Sequence, residues 1–343
     1  MKKKKQKTVD IAVQPATPEE ERLFTSLRAQ SWNEFFGQEE VKESIRIAIT
    51  ASKKRNDAME HILLYGPPGL GKTTLAHLIA KEMGVNLKIT SGPAIERSGD
   101  LASILTNLEP HDILFIDEIH RLNKIVEETL YPAMEDYALD IVIGKGPSAR
   151  TLRLDLPQFT IVGATTRIGL LSSPMRDRFG LISRLNFYTP SIIEEVLERA
   201  SMKLRTHLGA KAKTELAKRS RGTPRIALRL LKRVRDFAQV EGKGVITEEI
   251  LDRSLALLDV DSMGLDSSDR RLLMTIIETF EGGPVGIETL ASSLSEDIGT
   301  VEDVLEPYLM QIGFLKRTSK GRIATSQAYK HLSKALPQKL FDL

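Results

Sequence analysis

Short apolar runs alternate with helical segments between about residues 38 and 188. β-Branched apolar runs of this length, separated by helices, are typical of parallel strands joined by crossover connections. The pattern therefore predicts an α/β domain in which helices cover both faces of a parallel sheet. The runs are HILLYG (61–66), NLKIT (86–90), DILFIDE (112–118), TIVGATT (160–166) and LISRLNFY (181–188).

The periodicity changes twice after the last of these runs. Residues 190 to about 258 follow helical spacing only, and in PRIALRLLKRVRDFAQV one face carries Ile226, Leu230, Val234 and Phe237. Beyond DVDSMGLDSSD the chain has short helices and then FLKRTSKGRIAT, with two strand-like pieces around Ser319, Lys320 and Gly321. We therefore predict four segments: a flexible basic tail (1–20), a large α/β domain (21–189), a small helical domain (190–260) and a winged-helix domain (261–343).

The composition restricts the possible chemistry of the protein more than it restricts the possible fold. The chain has 343 residues, 41% apolar and 28% charged, as expected of a soluble protein with two or three domains. It has no cysteine and six scattered histidines, so a metal would have to be held by oxygen ligands. We find no apolar run near the roughly 18 residues of a membrane span and no signal-peptide pattern, so a cytoplasmic location is expected.

Charge is informative only where it is local. The net charge of +3 and the pI near 8.9 do not by themselves indicate nucleic-acid binding. The N-terminal MKKKKQK run is interpreted as a solubilising tail, and a nucleic-acid arm is the alternative.

A phosphate-binding loop is the most specific motif. GPPGLGKTT begins at Gly66, directly after an apolar run and before the helical stretch TTLAHLIAKEMG, and matches G-x-x-x-x-G-K-[ST]. Glycines such as Gly69 and Gly71 let backbone N–H groups surround phosphates, Lys72 reaches the β and γ oxygens, and the Thr73 hydroxyl binds Mg²⁺. The alternative is a purely structural glycine turn.

Two acids end the strand ILFIDE. Asp117 suits a Mg²⁺ ligand, and Glu118 suits a general base that polarises the attacking water. The same two acids could instead form a capping turn, so their functional interpretation depends on the phosphate-binding loop.

Three further polar positions fit the same chemistry. Thr166 ends a strand and could sense the γ-phosphate or orient water, although an ordinary strand terminus is the alternative. Arg176 and Arg178 lie in SSPMRDRFG, where one of them could reach a neighbouring subunit's nucleotide or simply be a solvated arginine. Arg225 follows Pro224 at the start of a helix, where a cation opposes the helix dipole unless it meets an anion such as nucleotide.

These motifs resemble the AAA+ ATPases, and within them the RuvB family, from about Leu27 to about Tyr329. GPPGLGKTTLA and LFIDEIHRLN are similar to segments of AAA+ proteins in general. The segments that resemble the RuvB family alone are NLKITSGPAIERSGDLASILTNLE, LYPAMEDY, IGKGPSARTLRLDLPQFT, RSRGTPRIALRLLKRVRDFAQV and EPYLMQIGFLKRTSKGRIAT.

The resemblance implies a role for each matching residue, with ATP and Mg²⁺ as cofactors. Asp117 and Glu118 would be the Walker B acids, Thr166 sensor 1, Arg178 an arginine finger acting in trans, and Arg225 sensor 2. Thr73 and Asp117 would hold the metal. The implied nucleotide contacts are Leu27, Arg28, Gly69, Gly71, Lys72, Thr73, Thr74, Glu135, Asp136, Tyr137, Tyr188 and Arg225.

The resemblance also implies an activity and partners. Members form hexameric rings, two per four-way Holliday junction, that pump duplex DNA outward during recombination, DNA repair and the SOS response. The hairpin from about Ile141 to Leu154 would dock the RuvA partner, and a RuvC-like resolvase would join the larger complex. Two departures from the family are Ala29 in place of proline and the absence of an arginine in SEDIG (295–299).

The C-terminal segment suggests how DNA would be held. Thr300 is predicted to cap a helix whose Val301, Val304, Leu305, Tyr308 and Ile312 form an apolar core stripe. After Glu306 no acidic residue occurs before Asp342, whereas this stretch contains Lys316, Arg317, Lys320, Arg322, Lys330, Lys334 and Lys339.

Arg317 and Arg322 flank the predicted wing and suit contacts to DNA phosphates. A solvated charged face is the alternative. Because aromatic residues are not interleaved with these cations, duplex DNA fits better than a stacked single strand.

Three functions are compatible with this sequence. The first is a branch-migration motor, and the second is an ATP-switched loader or initiator in which hydrolysis only resets assembly on DNA. The third is a winged-helix transcription regulator fused to an ATPase, which is weaker because the chain lacks a separate effector domain.

Overall fold

The computed structural model describes residues 17–143 and 150–335, and these divide into two compact units. We call Arg28–Gly66 with Leu70–Asn186 the sheet unit. The lid–wing unit comprises the described part of Met1–Leu27, Pro67–Gly69, and the chain from Phe187 onward.

The sheet unit is built on five parallel strands. They are β1 (Ile62–Tyr65), β2 (Leu87–Ser91), β3 (Ile113–Asp117), β6 (Thr160–Thr165) and β7 (Leu181–Arg184). Their order in the sheet is β2-β3-β6-β1-β7. Each of the five apolar runs forms one of them, so the predicted parallel sheet is confirmed.

Helices pack on both faces of this sheet. One core cluster joins strand residues such as Leu114 and Ile161 to Leu105 and Leu130 of the helices that follow β2 and β3. Alternate strand residues such as Phe115 point to the opposite face and are equally buried, and the helix that follows β1 contacts the central strands. The helices of this unit are α2 (Glu39–Arg55), α3 (Lys72–Met83), α4 (Ser98–Thr106), α5 (Lys124–Glu135) and α6 (Ser173–Asp177), with 3₁₀ turns at Trp32–Glu34, Gly92–Ala94, Ile119–Arg121 and Ile168–Leu170.

A separate antiparallel hairpin follows α5. β4 (Ala138–Ile143) pairs with β5 (Arg150–Asp155), from Ala138↔Asp155 to Ile143↔Arg150. The predicted hairpin is therefore present, while most of its turn, IGKGPSAR, lies outside the described residues.

The first part of the lid–wing unit is mainly helical. It contains α1 (Pro18–Leu27), α7 (Pro190–Lys203), α8 (Ala210–Lys218), α9 (Pro224–Glu241) and α10 (Glu248–Leu257). On α9, Leu230 and Val234 are fully buried, as the helical periodicity predicts. The prediction of helices alone is wrong in one respect, because β8 (His207–Leu208) and β9 (Val245–Ile246) form a short parallel pair.

The C-terminal part has the predicted winged-helix character. Its elements are α11 (Ser267–Met274), a π-helical stretch Thr275–Thr279, α12 (Ile287–Leu294), α13 (Ile298–Thr300), a second π-helical stretch Val301–Leu305, α14 (Glu306–Gln311), β10 (Leu315–Thr318), β11 (Gly321–Ala324) and α15 (Ser326–His331). β10 and β11 pair tightly, with Arg317 opposite Arg322 and Thr318 opposite Gly321. Leu305, Tyr308 and Leu309 lie in the core that supports this wing.

Two local predictions require correction. Residues 18–20 are not part of a flexible tail, because α1 begins at Pro18 and Glu20 is buried beside Lys232 and Arg233, 3.6 and 3.3 Å away. Residues 1–16 of the predicted tail lie outside the described residues. Thr300 does not cap a helix, since Asp297 is the N-cap residue of α13 and Thr300 has helical φ and ψ of −62° and −44°.

No helix within residues 17–143 and 150–335 is long and apolar enough to span a bilayer.

Candidate functional site

The carboxyl ends of three neighbouring strands bring the predicted motifs together. β6 lies between β1 and β3, so the segments that follow these strands meet at one edge of the sheet. The backbone N–H of Gly66, which begins the phosphate-binding loop, donates to the carbonyl of Thr165 at 3.1 Å. Asp117 ends β3 at the same edge. Ligand sites of α/β sheets form at such edges.

The loop around Lys72 has the geometry that a phosphate site requires. Gly71 precedes α3 with φ 105°, and Gly66 has φ 138°, where an added Cβ would collide with the carbonyl oxygen of Leu185. Lys72 is 7% exposed, and its Nζ donates to the carbonyl of Gly66 at 2.7 Å. The lysine therefore lies over the loop at the amino end of a 12-residue helix, where backbone N–H groups and the helix dipole favour an anion.

Glu118 is held by Thr166, the residue that follows β6. It adopts a left-handed conformation with φ 47°, which is uncommon outside glycine and often marks a functional position. The Thr166 hydroxyl donates to Glu118 Oε2 at 3.2 Å, and the backbone N–H of Thr166 lies 3.4 Å from the same oxygen. The predicted base and the predicted sensor are thus direct partners.

His120 is the residue of this cluster that the sequence interpretation missed. Its Nδ1 lies 3.2 Å from Glu118 Oε2 and 2.8 Å from the Thr165 hydroxyl. The ring therefore connects the acid after β3 to the end of β6. The motif IDEIH contains the relevant signal, because a histidine two residues after the acid in a 3₁₀ turn can point back to it.

The predicted metal ligands fit magnesium by their chemistry. Thr73 lies in the first turn of α3, and Asp117, whose Oδ1 accepts from the Glu118 N–H at 3.0 Å, is half-buried. Within the described ranges no group of three or more His, Asp or Glu side chains could hold a metal. One hydroxyl and one carboxylate are a sparse oxygen set, as expected where Mg²⁺ keeps waters and binds substrate phosphates.

Arg28 lies close to α3. The pKa of His77 on that helix is lowered mainly by burial of the ring and also by the nearby charge of Arg28. Burial lowers the pKa of Arg28 itself. The adjacent Gln30 carbonyl accepts from Lys81 of α3 at 2.7 Å. Ala29, at the family's proline position, is buried. The segment from residue 28 to 30 therefore lies along the helix that carries the phosphate-binding lysine.

Arg178 lies at a different place on the sheet unit. It follows α6, donates to the Pro174 carbonyl at 2.6 Å, forms an ion pair with Glu135 at 3.0 Å and lies 4.2 Å from the centre of the Tyr131 ring. The side chain is 18% exposed, while that of Glu135 is 56% exposed.

The residues after Glu135 have partners of their own. Asp136 pairs with Arg153 of β5 at 3.0 Å, and Tyr137 packs edge-on against Phe159. The structure thus groups the predicted finger with Glu135 at the end of α5, next to the β4–β5 hairpin.

Four predicted nucleotide contacts belong to the lid–wing unit: Leu27, Gly69, Tyr188 and Arg225. The Leu27 carbonyl accepts from Arg199 at 2.8 Å, and the Tyr188 N–H donates to the carbonyl of Gly222 at 2.8 Å. Arg225 is exposed in the first turn of α9, as predicted, and its backbone N–H lies 3.4 Å from the Gly69 carbonyl.

The structure does not support one of the two predicted DNA contacts. Arg322 is buried, and its guanidinium forms ion pairs with Glu306 at 2.6 Å and Glu302 at 3.1 Å. Both acids precede the basic stretch in the sequence, so the stretch itself contains only positive charges. Folding brings the two acids next to Arg322. Arg317 is 56% exposed, and Lys316 and Lys320 beside it are exposed, so β10 and the wing turn carry three accessible cations. Lys330 on α15 is exposed as well.

Comparisons with known proteins match this architecture throughout. The Holliday junction DNA helicase RuvB P-loop domain matches residues 27–185, the RuvB AAA lid domain 188–261, and the RuvB C-terminal winged helix domain 262–333. The chain belongs to the RuvB family. Its P-loop sheet, lid and winged-helix domains, predicted as the fold class, are those of a RuvB-type ATPase.

Solved structures agree with this assignment. The Thermotoga maritima RuvB Holliday junction branch migration motor is 50% identical, with a TM-score of 0.85, and the match covers 91% of this chain and 100% of that one. A point mutant of Thermotoga maritima RuvB is 51% identical, with a TM-score of 0.85 and coverage of 91% and 99%. The likeness therefore extends over nearly the whole chain.

Proposed function

We propose that this RuvB-family chain is the ATP-hydrolysing motor subunit of a Holliday junction branch migration complex. In this proposal it assembles as a hexameric ring and pumps duplex DNA during recombination and repair. The observation that carries the proposal is the meeting of Lys72, Glu118 and Thr166 at one sheet edge, in a chain whose three parts match RuvB domains in order.

The residues at the sheet edge have different roles in ATP hydrolysis. The loop glycines and Lys72 bind the phosphates, and Thr73 with Asp117 would hold Mg²⁺, which supplies positive charge to the phosphoryl oxygens when bound. Glu118 acts as the general base that orients and polarises water.

In this proposal, ATP binding changes the partners of Glu118 Oε2. Its Oε2 already accepts from Thr166 and contacts His120. A γ-phosphate at the end of β6 competes for the Thr166 hydroxyl and frees the carboxylate. Thr166 thus links the presence of ATP to the readiness of the base, and His120 keeps the side chain oriented.

Arg178 completes the site of a neighbouring subunit in the ring. An added cation gains most when it stabilises charge in the phosphoryl transition state. Its pairing with exposed Glu135, at the end of α5, is compatible with a position on an outer face that meets the next subunit. Leu27, Arg28, Tyr188 and Arg225 bind the nucleotide within the subunit, while Glu135, Asp136 and Tyr137 lie at the boundary.

DNA binds to the wing through its exposed cations. Lys316, Arg317 and Lys320 follow the phosphate backbone of a duplex without reading bases, as a motor that moves along any sequence requires. Arg322 is assigned a supporting role instead, since its charge is neutralised by Glu302 and Glu306.

The β4–β5 hairpin docks a RuvA-like partner. Leu152 on β5 is 46% exposed, whereas Leu154 on the same strand packs against the core. In this proposal the bound partner covers the exposed Leu152 side chain. A RuvC-like resolvase joins the complex through the junction.

The test is ATP-dependent dissociation of a synthetic four-way junction, with and without RuvA, by the native chain and by Glu118→Gln. We expect the native chain to release duplex arms and the variant to bind ATP but lose about 10²–10⁴-fold in turnover. If ATP is hydrolysed while the junction persists with RuvA present, the chain is an ATP-switched loader rather than a motor.

A further inference from the structure

A buried ion cluster joins the lid to the first helix of the winged-helix part. The guanidinium of Arg221 pairs with Asp266 at 3.1 Å and with Asp269 at 2.5 Å, and its Nε donates to the Gly264 carbonyl at 2.7 Å. All three side chains are buried, with exposed fractions of 3%, 1% and 0%. The Arg221 guanidinium also lies 5.4 Å from the Tyr308 ring centre.

This cluster determines how α11 begins. Asp266 is the N-cap residue, and its Oδ1 accepts from the N–H groups of Ser268 and Asp269. Asp269 in turn accepts from the Asp266 N–H at 3.0 Å. Arg221 therefore binds both carboxylates of a capping box, which orients the helix as well as neutralising it.

Such a cluster adds little net stability, because the desolvation of its charged groups offsets their attraction. Burial raises the pKa of Asp269 to about 7 despite the adjacent arginine, which indicates how strongly the site disfavours charge. Apolar residues of similar volume often stabilise a fold as well as a buried ion pair does. The planar guanidinium, however, can bond to two carboxylates and a carbonyl in one fixed geometry.

The residue that follows Arg221 packs against Tyr188, one of the predicted nucleotide contacts. Arg221 and Gly222 have left-handed φ of 55° and 59°, so the chain turns sharply before α9. The Gly222 carbonyl accepts from Tyr188, and a Cβ added at Gly222 would lie 2.7 Å from the Tyr188 carbonyl oxygen. The turn is therefore packed closely and can shift only together with its neighbours.

Gly69 of the phosphate-binding loop is packed against this segment as well. A Cβ at Gly69 would lie 2.8 Å from Arg225 Cβ and 2.9 Å from Thr223 Cγ2. Within residues 221–225, Arg221 binds the α11 capping box, Gly222 contacts Tyr188, and Thr223 and Arg225 pack against Gly69.

We propose that Arg221 is a positioning residue that couples the nucleotide site to the DNA-binding winged helix, by tying α11 to the short segment that carries Arg225. A displacement of Arg225 by ATP binding or turnover then moves α11 and the wing with it. The inference rests on the proposed function, in which Arg225 binds nucleotide.

The test compares DNA affinity in two nucleotide states. The dissociation constant of a labelled 30-base-pair duplex is measured with ADP and with a slowly hydrolysed ATP analogue, for the native chain, Arg221→Lys and Asp269→Asn. We expect the native ratio to lie in the range of about 5–150-fold typical of coupled sites, and both variants to fall below about twofold.

Arg219→Lys is the matched control. Arg219 lies two residues away, and its side chain pairs with Glu215 and Asp252 inside the lid. This variant should keep the native ratio. Affinity for the ATP analogue should stay within about twofold in all variants, because the Arg221 side chain is buried against Asp266 and Asp269. Only the coupling between nucleotide and DNA binding should change.

Three outcomes overturn the inference: a native ratio near one, a folded Arg221→Lys or Asp269→Asn that retains the native ratio, or an equal loss in Arg219→Lys. If both test variants fail to fold, hydrogen exchange of the α11 amides in the native chain decides, since equal exchange with and without nucleotide also overturns it. A chain whose nucleotide state shifts DNA affinity but which never dissociates a junction would refute the proposed function and leave this inference standing.

Discussion

Replacing Arg322 by alanine should damage the fold of the wing rather than its DNA contacts. The side chain is 6% exposed and pairs with Glu306, whose own side chain is 3% exposed. Alanine would leave the Glu306 carboxylate buried without its main partner. Removing one member of a buried ion pair costs about 3–5 kcal/mol, because the remaining charge is desolvated and uncompensated.

Hydrogen exchange measures this loss locally in the full chain. A loss of about 3–5 kcal/mol corresponds to faster exchange by about two to three and a half orders of magnitude for amides that open with the wing. Peptides covering α14, β10 and β11 should show the change. Peptides covering β1 and β3, in the sheet unit, should exchange at native rates.

Arg317→Ala is the matched contrast. Its side chain is 56% exposed and 3.6 Å from Glu302, so its removal should change stability by at most about 1 kcal/mol. It should instead weaken duplex binding and reduce the salt slope of log K by about 0.9, as expected for one lost phosphate contact. The reasoning is refuted if Arg322→Ala exchanges at native rates and shows that reduced slope.

Three further predictions concern other positions. Arg178→Ala should still bind ATP but lose about 10³–10⁵-fold in turnover, and mixing it with Lys72→Ala subunits should restore some hydrolysis; no recovery in rings that assemble would contradict action in trans. Gly66→Ala should abolish nucleotide binding measured by titration calorimetry, because the new Cβ would collide with the Leu185 carbonyl at φ 138°, and native affinity would argue against this loop geometry. The pKa of Asp269 is raised from 3.8 to about 7 in the folded protein, so its contribution to stability is present below pH 3.8 and is lost as pH rises through about 7. Between pH 5 and 8.5, the unfolding midpoint should therefore fall less with pH in Asp269→Asn than in the native chain. Parallel plots of midpoint against pH for the two proteins would contradict this assignment.

The sheet and its nucleotide motifs could be predicted because their signals are local. Strands buried on both faces require continuous apolar runs, and all five runs between residues 61 and 188 became parallel strands. The phosphate-binding loop needs glycines before a helix, which spacing alone reveals. The order of strands follows from neither rule, and it is this order that places Thr166 against Glu118.

Several roles depend on residues far apart in sequence. His120 acquires its contact with Thr165 only when β3 and β6 pair, across 45 positions. Arg221 reaches Asp266 and Asp269 across the whole of α9 and α10. A single sequence shows the residue types but not these long-range contacts, so neither the His120–Thr165 contact nor the Arg221 cluster could be anticipated.

The sequence by itself determined the five strands of the central sheet, the phosphate-binding loop and the wing, because backbone periodicity and glycine spacing act over a few neighbouring residues. The tertiary structure decided which of the wing's charged side chains are exposed and so available to bind DNA. Arg317 and Arg322 are equivalent in the sequence, five residues apart on either side of a turn. Folding brings Glu302 and Glu306 beneath Arg322 and leaves Arg317 in solvent, because burial of a charge depends on partners that only packing assembles.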